Sequence, residues 1–251
     1  MTGIQPVLRI ASSHRLPREA FMSPHRKSWS KSFSVEDFID RYALISSNAR
    51  ILNAGSAETR YGANCINIDV QAQPNVDVVC DLHELPPSLG QFDAVICNAV
   101  LQYCANPRLV ASNLHAALKP GGFLFVDAPW VQPYCPDTPD RHRFTQEGLR
   151  DVFSIFEIVE CGPSLKSGAA LHMQAVAMAQ YATRNRYVNF ALSHTVSALL
   201  HPVRWLRTTN EPWTAGAFYL IARRQDDAAS GATPGANSGQ PLAQAEYSPA
   251  S

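Results

Sequence analysis

Residues 50–55 read RILNAG and residues 65–70 read CINIDV, two short apolar runs that each stop at turn-forming or polar residues. Three further runs follow: VDVVCDL at 76–82, FDAVICNAV at 92–100 and GFLFVDAPW at 122–130. All five are too short for helices, and most of their apolar residues are consecutive rather than alternate, which is typical of strands buried on both faces. This part of the chain therefore predicts the parallel strands of a sheet covered by helices.

Helical patterns fill the segments around these runs. Three helices are predicted, over 35–46 after a capping box at Ser34, over 107–118 with proline in the first turn, and from Thr145 onward. Two more strands are predicted, at 156–162 and 215–224. Because strands and helices alternate, we predict an α/β fold: a Rossmann-like open sheet of seven mostly parallel strands with helices on both faces.

The last two predicted strands are separated by residues 163–214, which are too many for a loop and predict a helical insertion. Within it, 187–206 carries apolar residues at helical spacing, and Pro202 should kink or end that helix. The sequence thus divides into three parts: a basic, loosely ordered arm over 1–33, a folded domain over 34–224, and a disordered tail over 225–251.

Composition narrows the function classes. Lysine and arginine number 21, aspartate and glutamate also number 21, and charged residues form only 17% of the chain. Binding to nucleic acid through its phosphates needs a basic surface, so we expect no nucleic-acid partner. The sequence shows no secretory signal and no apolar run of membrane-spanning length, which predicts a cytoplasmic protein. The six cysteines lack metal-ligand spacing, so we interpret them as small buried hydrophobes and expect no metal.

Polar or small residues end each of the first five predicted strands. In an open α/β sheet the ligand binds beyond the carboxyl ends of the strands, where a glycine lets backbone approach it and a carboxylate can accept ribose hydroxyls. The residues concerned are Asn53-Ala54-Gly55-Ser56, Asp69, Asp81, Asn98 and Asp127. Together they predict a nucleoside pocket, in which we expect Asp127 to be a structural cap.

The string ILNAGS…INIDV…VDVVCDLHELP…FDAVICNAVLQYCANPRLV…LKPGGFLFVDAPW resembles the class I S-adenosylmethionine-dependent methyltransferases, over about residues 49–130 and the final strand. Asp140, Arg143, Phe144 and Thr145 further resemble a type 11-like subgroup often tied to polysaccharide or secondary-metabolite methylation. The resemblance implies S-adenosylmethionine as cofactor. It assigns Asn53, Ala54, Gly55 and Ser56 to the methionine part, Asp69 to the ribose, Asp81 and Leu82 to the adenine, and Asn98 to the sulfonium side. Val70 is a further cofactor-binding residue by the same resemblance.

The first motif departs from the family pattern. Asn53 stands where an acid is usual, Ala57 replaces a common second glycine, and only ten residues separate Gly55 from Ile66. A catalytically degenerate methyltransferase fold that serves as a binding or scaffold protein is therefore the alternative. A nicotinamide-dependent dehydrogenase is disfavoured, because G-x-G-x-x-G is absent.

His142 and Asp140 are the candidate catalytic residues. His142 could draw a proton from an acceptor hydroxyl, or could be an idle loop histidine. Asp140 could contact the substrate, or could pair with Arg143 to position the loop before Thr145. Methyl transfer from a sulfonium is a direct displacement, so positioning and desolvation alone could suffice.

The insertion is the candidate lid over the acceptor. Its aromatic and basic residues suit a small-molecule, sugar or lipid-linked acceptor methylated on oxygen or nitrogen. These residues are Tyr187, Phe190, Trp205 and Trp213 with Arg184, Arg186, Arg204 and Arg207. Two other roles stay open: peripheral membrane contact through 187–206, and packing within the core or a dimer.

Overall fold

The computed structural model describes residues 31–136, 138–205 and 212–225. The remainder of the predicted arm and tail, and Leu206 to Glu211 of the insertion, lie outside these ranges. The seven strands are β1 (Ile51–Ala54), β2 (Cys65–Asp69), β3 (Val78–Val79), β4 (Phe92–Asn98), β5 (Leu118–Pro129), β6 (Glu157–Leu165) and β7 (Ala217–Arg223). The five α-helices are α1 (Val35–Arg41), α2 (Pro107–Ala117), α3 (Gln146–Val152), α4 (Ser167–Gln180) and α5 (Arg186–Leu200).

The strands form one sheet in the order β3-β2-β1-β4-β5-β7-β6. Strands β1 to β5 pair in parallel, whereas β7 runs antiparallel to both of its neighbours, β5 and β6. The strand order reverses between β1 and β4, so the sheet has its topological switch point there. The predicted Rossmann-like fold of seven mostly parallel strands is confirmed.

Apolar side chains cover the sheet on both faces. On one face, Val110 and Leu114 of α2 and Leu149 of α3 pack against the strands and are fully buried. On the other face, Phe38 and Ile39 of α1 form a second buried cluster with residues of the central strands. The Ser34 capping box that starts α1 and the Thr145 cap that starts α3 are both present, as predicted.

Several boundaries differ from the prediction. Helix α1 ends at Arg41 rather than at 46, and residues 163–165 belong to β6 rather than to the insertion. These three residues are strand because their segment pairs with β7, for example Leu165 with Ala217. The insertion holds two helices, α4 and α5, and α5 ends at Leu200, just before Pro202, as its position predicted.

The last residues of the predicted arm lie against the sheet. Ser32 N–H donates to the carbonyl of Ser164 at 2.8 Å, and Lys31 forms a β-bridge with Leu165. Phe33 is buried and its ring stacks on that of Tyr219, with 4.5 Å between centroids. Ordered contacts therefore begin before residue 34.

None of the described helices is both long and apolar enough to cross a membrane. All six cysteines are free thiols. Burial raises the pKa of the Cys104 and Cys161 thiols to about 11, so both stay protonated at neutral pH.

Candidate active site

The carboxyl ends of β1, β2, β4 and β5 meet at one edge of the sheet, here called the carboxyl edge, together with the loop 131–144 that follows β5. The buried polar atoms without a hydrogen-bond partner in the described structure include one at the end of each strand that flanks the switch point: Ser56 Oγ after β1 and Asn98 Oδ1 at the end of β4. They lie on either side of the switch point. A buried polar atom without a partner is costly, so these two atoms make the carboxyl ends of β1 and β4 the candidate ligand site.

The turn after β1 is held by two backbone hydrogen bonds. The N–H groups of Gly55 and Ser56 both donate to the carbonyl of Ile68, at 2.8 and 3.0 Å. Gly55 has a φ of +76°, and a Cβ built there would lie 2.3 Å from Cγ2 of Val100. The glycine is thus required by a left-handed turn and by Val100 packing, a second reason that the sequence did not reveal.

Asn53 is 3% exposed and organises the loop between β1 and β2. Its Nδ2 donates to the Thr59 carbonyl at 2.9 Å and to Oδ1 of Asn67 at 3.2 Å, while Asn67 Nδ2 also donates to Thr59 at 3.0 Å. This crossover contains no helix, and the two asparagines hold it instead. Ala54 is fully buried within β1. The amide of Asn53 therefore donates hydrogen bonds that a carboxylate, which has no donor, could not make.

Asp69 ends β2 and accepts two backbone hydrogen bonds. Ala57 N–H donates to Oδ2 at 3.0 Å, and Gln71 N–H donates to Oδ1 at 2.9 Å. Each oxygen keeps lone-pair capacity for one more donor, such as a ribose hydroxyl. Ala57 adopts a positive φ of 45°, so the missing second glycine leaves some backbone strain. Val70, the next residue after Asp69, is exposed.

Asp81 and Leu82 follow β3. Asp81 caps the short 3₁₀ helix Leu82–Glu84 and binds Nδ1 of His83 at 2.6 Å. The His83 backbone N–H, at 2.9 Å, is the main cause that lowers the pKa of Asp81. Leu82 is buried in the core. The carboxylate faces solvent with part of its surface, while the leucine side chain faces inward.

Tyr61 is a further candidate site residue, which the sequence did not single out. It lies in the loop between β1 and β2, where burial raises the pKa of its phenol, and a side-chain hydrogen bond with Asn98 partly opposes that rise. Tyr61 also lines a surface cleft of about 330 Å³ whose other walls include Glu36 and Asp40 of α1. No spacing in the sequence marks this tyrosine, because its partner is 37 positions away on β4.

Asp127, at the end of β5, is buried and fully engaged. Lys31 Nζ lies 2.5 Å from its Oδ2, and Ser164 Oγ donates to its Oδ1 at 3.1 Å. The ion pair joins the end of the arm to the carboxyl edge, with 4% of the Asp127 side chain and 26% of the Lys31 side chain exposed. The predicted role of Asp127 as a structural cap agrees with these contacts.

The loop 131–144 closes one side of the edge. Arg143 forms a two-pronged ion pair with Asp140, which also accepts from Cys135 N–H at 3.0 Å, and the hydrogen bond to Arg143 holds the pKa of Asp140 below its ordinary value. The structure thus contains the ion pair that was one of the two alternatives for Asp140. His142 N–H donates to the Gln102 carbonyl at 3.1 Å, and His142 Nε2 is buried without a partner.

A mostly parallel sheet with this strand order, ending in an antiparallel hairpin and carrying polar residues at the β1/β4 switch point, is an architecture typical of nucleoside-binding α/β domains. Residues 52–126 match the family model described as a methyltransferase domain. These residues therefore belong to a class I S-adenosylmethionine-dependent methyltransferase domain, for which the implied cofactor is S-adenosylmethionine.

One curated relative is Chemotaxis protein methyltransferase 1 of Pseudomonas aeruginosa, 31% identical over 80 residues, which is 31% of this chain and 23% of that protein. The match thus spans about a quarter of that relative's length.

Two solved structures are also similar. The 1,6-didemethyltoxoflavin-N1-methyltransferase of Burkholderia thailandensis is 14% identical with a TM-score of 0.44, over 73% of this chain and 76% of that chain. The N-methyltransferase NodS of Bradyrhizobium japonicum is 14% identical with a TM-score of 0.41, over 75% and 85%.

Proposed function

We propose that this domain binds S-adenosylmethionine at the carboxyl edge and transfers its methyl group to oxygen or nitrogen of a small-molecule, sugar or lipid-linked acceptor. The observation that carries the proposal is the pair of buried, unpartnered atoms, Ser56 Oγ and Asn98 Oδ1, on either side of the switch point. The Asp69 carboxylate, with lone pairs to spare, would hold the ribose hydroxyls.

The residues at the edge fit the cofactor in chemical type. Ser56 and Asn98 would bind the methionine and sulfonium side, Asp69 with Val70 the ribose, and Asp81 with Leu82 the adenine. S-adenosylmethionine supplies an electrophilic methyl group on a sulfonium sulfur. Asn53, Ala54 and Gly55 would contribute by fixing the turn after β1, since the Asn53 amide is already bound to Thr59 and Asn67.

On the acceptor side, the chain's own groups would position the acceptor, exclude water and accept a proton. We propose His142 Nε2 as the general base, because it is an imidazole nitrogen that is buried without a hydrogen-bond partner. Asp140 would act through its ion pair with Arg143, which holds the loop that carries His142. An acceptor with a low-pKa nucleophile would need no base at all.

Calorimetric titration with S-adenosylmethionine and S-adenosylhomocysteine tests the cofactor site. We expect both to bind, and Asp69→Ala to weaken binding about 10- to 100-fold, because hydrogen bonds to a charged group contribute roughly 1.5–3 kcal/mol. Asp151→Ala, which removes an exposed carboxylate from α3, is the matched control and should leave the affinity unchanged. Absence of heat with either ligand, in folded protein, would reject the proposal and favour the scaffold alternative.

Turnover is tested separately, by following labelled methyl groups from S-adenosylmethionine into phenols, amines, nucleotide sugars and lipid-linked sugars. If His142 is the base, His142→Gln should lower the rate for hydroxyl acceptors about 100-fold and leave cofactor affinity unchanged. Tight cofactor binding without transfer to any acceptor class would assign the domain to the scaffold alternative instead.

A further inference from the structure

Helices α4 and α5 form a hairpin that rises from the carboxyl edge. Helix α4 begins two residues after β6 ends, and its first residue, Ser167, donates its hydroxyl to Thr214 Oγ1 at 2.6 Å. Farther along, His172 Nε2 lies 3.2 Å from Ser197 Oγ, so the two helices run antiparallel. The end near Ser167 is therefore the root of the hairpin, and residues 178–190 form its tip.

The tip exposes large apolar side chains. Met178, Tyr181, Tyr187 and Phe190 each have 65–78% of their surface exposed in the described structure. Single exposed apolar residues are ordinary, but four within the 13 residues of the hairpin tip are a concentration of the kind that marks an interaction site. Helix formation at these positions does not need large apolar side chains, so their exposure at the tip needs another explanation.

The chain segment that contains the hairpin is basic. From Cys161 to Asn210 the chain contains no aspartate or glutamate, but it contains five basic residues, including Arg184 and Arg186 at the tip. The rest of the chain holds 16 basic and 21 acidic residues, so charge is separated between the hairpin segment and the domain body. The Arg186 guanidinium lies 4.7 Å from the Tyr187 ring centroid and donates to its hydroxyl at 2.9 Å.

We propose that the hairpin tip, residues 178–190, docks on an anionic phospholipid surface, with its apolar side chains among the headgroups and its arginines on the lipid phosphates. Tyrosine and methionine side chains are apolar enough to enter the interface, and tyrosine keeps a polar end in water. Arginine pairs with phosphate through two parallel hydrogen bonds. An anionic surface complements a segment that contains no carboxylate.

Charge also favours lipid over a second copy of this chain at the tip. In a tip-to-tip dimer, Arg184 and Arg186 of both copies would meet, and no carboxylate within the segment could pair with them. A bilayer of anionic lipid offers phosphates to every arginine and an apolar layer to every aromatic ring. If the proposed methyl transfer holds, this docking would turn the carboxyl edge toward lipid-linked acceptors.

The test is sedimentation of the full chain with vesicles of phosphatidylcholine alone and with vesicles containing phosphatidylglycerol. We expect binding to the anionic vesicles that weakens as salt is raised. Arg184→Gln with Arg186→Gln should weaken it about 30-fold, since each basic group near an anionic surface contributes roughly fivefold. Tyr187→Ser with Phe190→Ser should weaken it at least about 10-fold, through lost apolar burial.

A matched control removes exposed apolar residues outside the hairpin. Ile155 and Val159 are about as exposed as Val188 of the hairpin, and Ile155→Ser with Val159→Ser should leave vesicle binding unchanged. Equal binding to both kinds of vesicle, or no response to the tip variants, would overturn the proposal. So would a dimer in solution that Phe190→Ser dissociates while the wild-type chain ignores vesicles, because the tip would then bind a second copy.

Cofactor titration of the same samples separates the two proposals. Intact S-adenosylmethionine binding with no vesicle binding would reject the tip proposal alone. Vesicle binding that the tip variants abolish, in a protein that binds no cofactor, would reject the proposed function and retain the tip proposal.

Discussion

At the carboxyl edge, Ser56 Oγ and Asn98 Oδ1 are polar atoms buried without partners, whereas at the hairpin tip Tyr187 and Phe190 are apolar side chains in contact with solvent. The two regions therefore depart from the usual distribution of polar and apolar groups in opposite directions. A polar ligand would complete the first region and an apolar, anionic surface would complete the second.

The two regions also differ in how they are held. Residues at the edge are fixed by hydrogen bonds and close packing with partners far away in the chain, as Asp127 is by Lys31. The tip has local contacts, such as those of Arg186 with Tyr187. Substitutions should consequently lower the free energy of unfolding at the edge and change it very little at the tip.

The largest effect is expected at Gly55. Gly55→Ala should lower the free energy of unfolding by about 3–4 kcal/mol, because alanine adds the cost of a left-handed residue to a clash with Val100. Urea denaturation measures it. Gly90→Ala is the control, since Gly90 also has a positive φ but its Cβ would meet only the end of the Arg50 side chain, at 3.2 Å. If Gly55→Ala lowered the free energy of unfolding as little as Gly90→Ala does, the clash with Val100 would be contradicted. Adding Val100→Ala to Gly55→Ala should remove the part of the loss that the clash causes.

The next effect concerns the buried ion pair. Lys31→Met should lower the free energy of unfolding by about 2 kcal/mol, because it leaves the Asp127 carboxylate buried with Ser164 as its remaining partner. Adding Asp127→Asn should restore most of the loss. Lys119→Met, which breaks the exposed pair with Asp93, should change stability by less than about 0.5 kcal/mol. Equal effects at the two lysines would show that Lys31 does not hold the edge.

Asn53 tests whether the unusual first motif is a defect or an adaptation. Restoring the acid with Asn53→Asp should lower stability by about 1.5 kcal/mol, because the carboxylate would face the oxygens of Thr59 and Asn67 without a donor. Thermal unfolding and cofactor titration should both be measured. Tighter S-adenosylmethionine binding with unchanged stability would instead show that the family's acid is simply missing here.

Part of the loss of folding stability at low pH should come from the Asp140–Arg143 pair. The pKa of Asp140 is depressed in the folded state, so its contribution is present above the unfolded pKa of about 4 and is lost as pH falls through the folded value. Asp140→Asn should lower stability by about 1 kcal/mol at pH 7 and make the decline between about pH 4 and 2 shallower. Unfolding curves across this pH range measure both. Parallel curves for the two proteins would contradict the assignment.

The smallest effects are expected at the tip. Tyr187→Ser and Phe190→Ser should each change the free energy of unfolding by less than about 0.5 kcal/mol, because both side chains are mostly exposed. Denaturant midpoints test this directly. A loss of 2 kcal/mol or more would mean that the tip is covered within the folded chain, and the contrast between the two regions would then disappear.

Local sequence pattern was enough to predict the sheet. The consecutive apolar residues of the runs at 51–54 and 92–98 indicate strands buried on both faces, and the Ser34 and Thr145 caps mark helix starts through neighbours three residues away. The end of the sixth strand was missed because pairing at a distance decides it. Residues 163–165 are strand because β7 lies beside them, and no local pattern marks that pairing.

The sequence by itself determined the number and kind of strands, the polar character of their ends and the separation of charge along the chain, because each depends on residues close together in sequence. Only the tertiary structure decided that Lys31 neutralises Asp127, that Val100 occupies the space beside Gly55 and that the Asn53 amide binds Thr59. Those contacts follow from sheet register and loop path, and sequence periodicity carries no information on which distant side chain fills a given space.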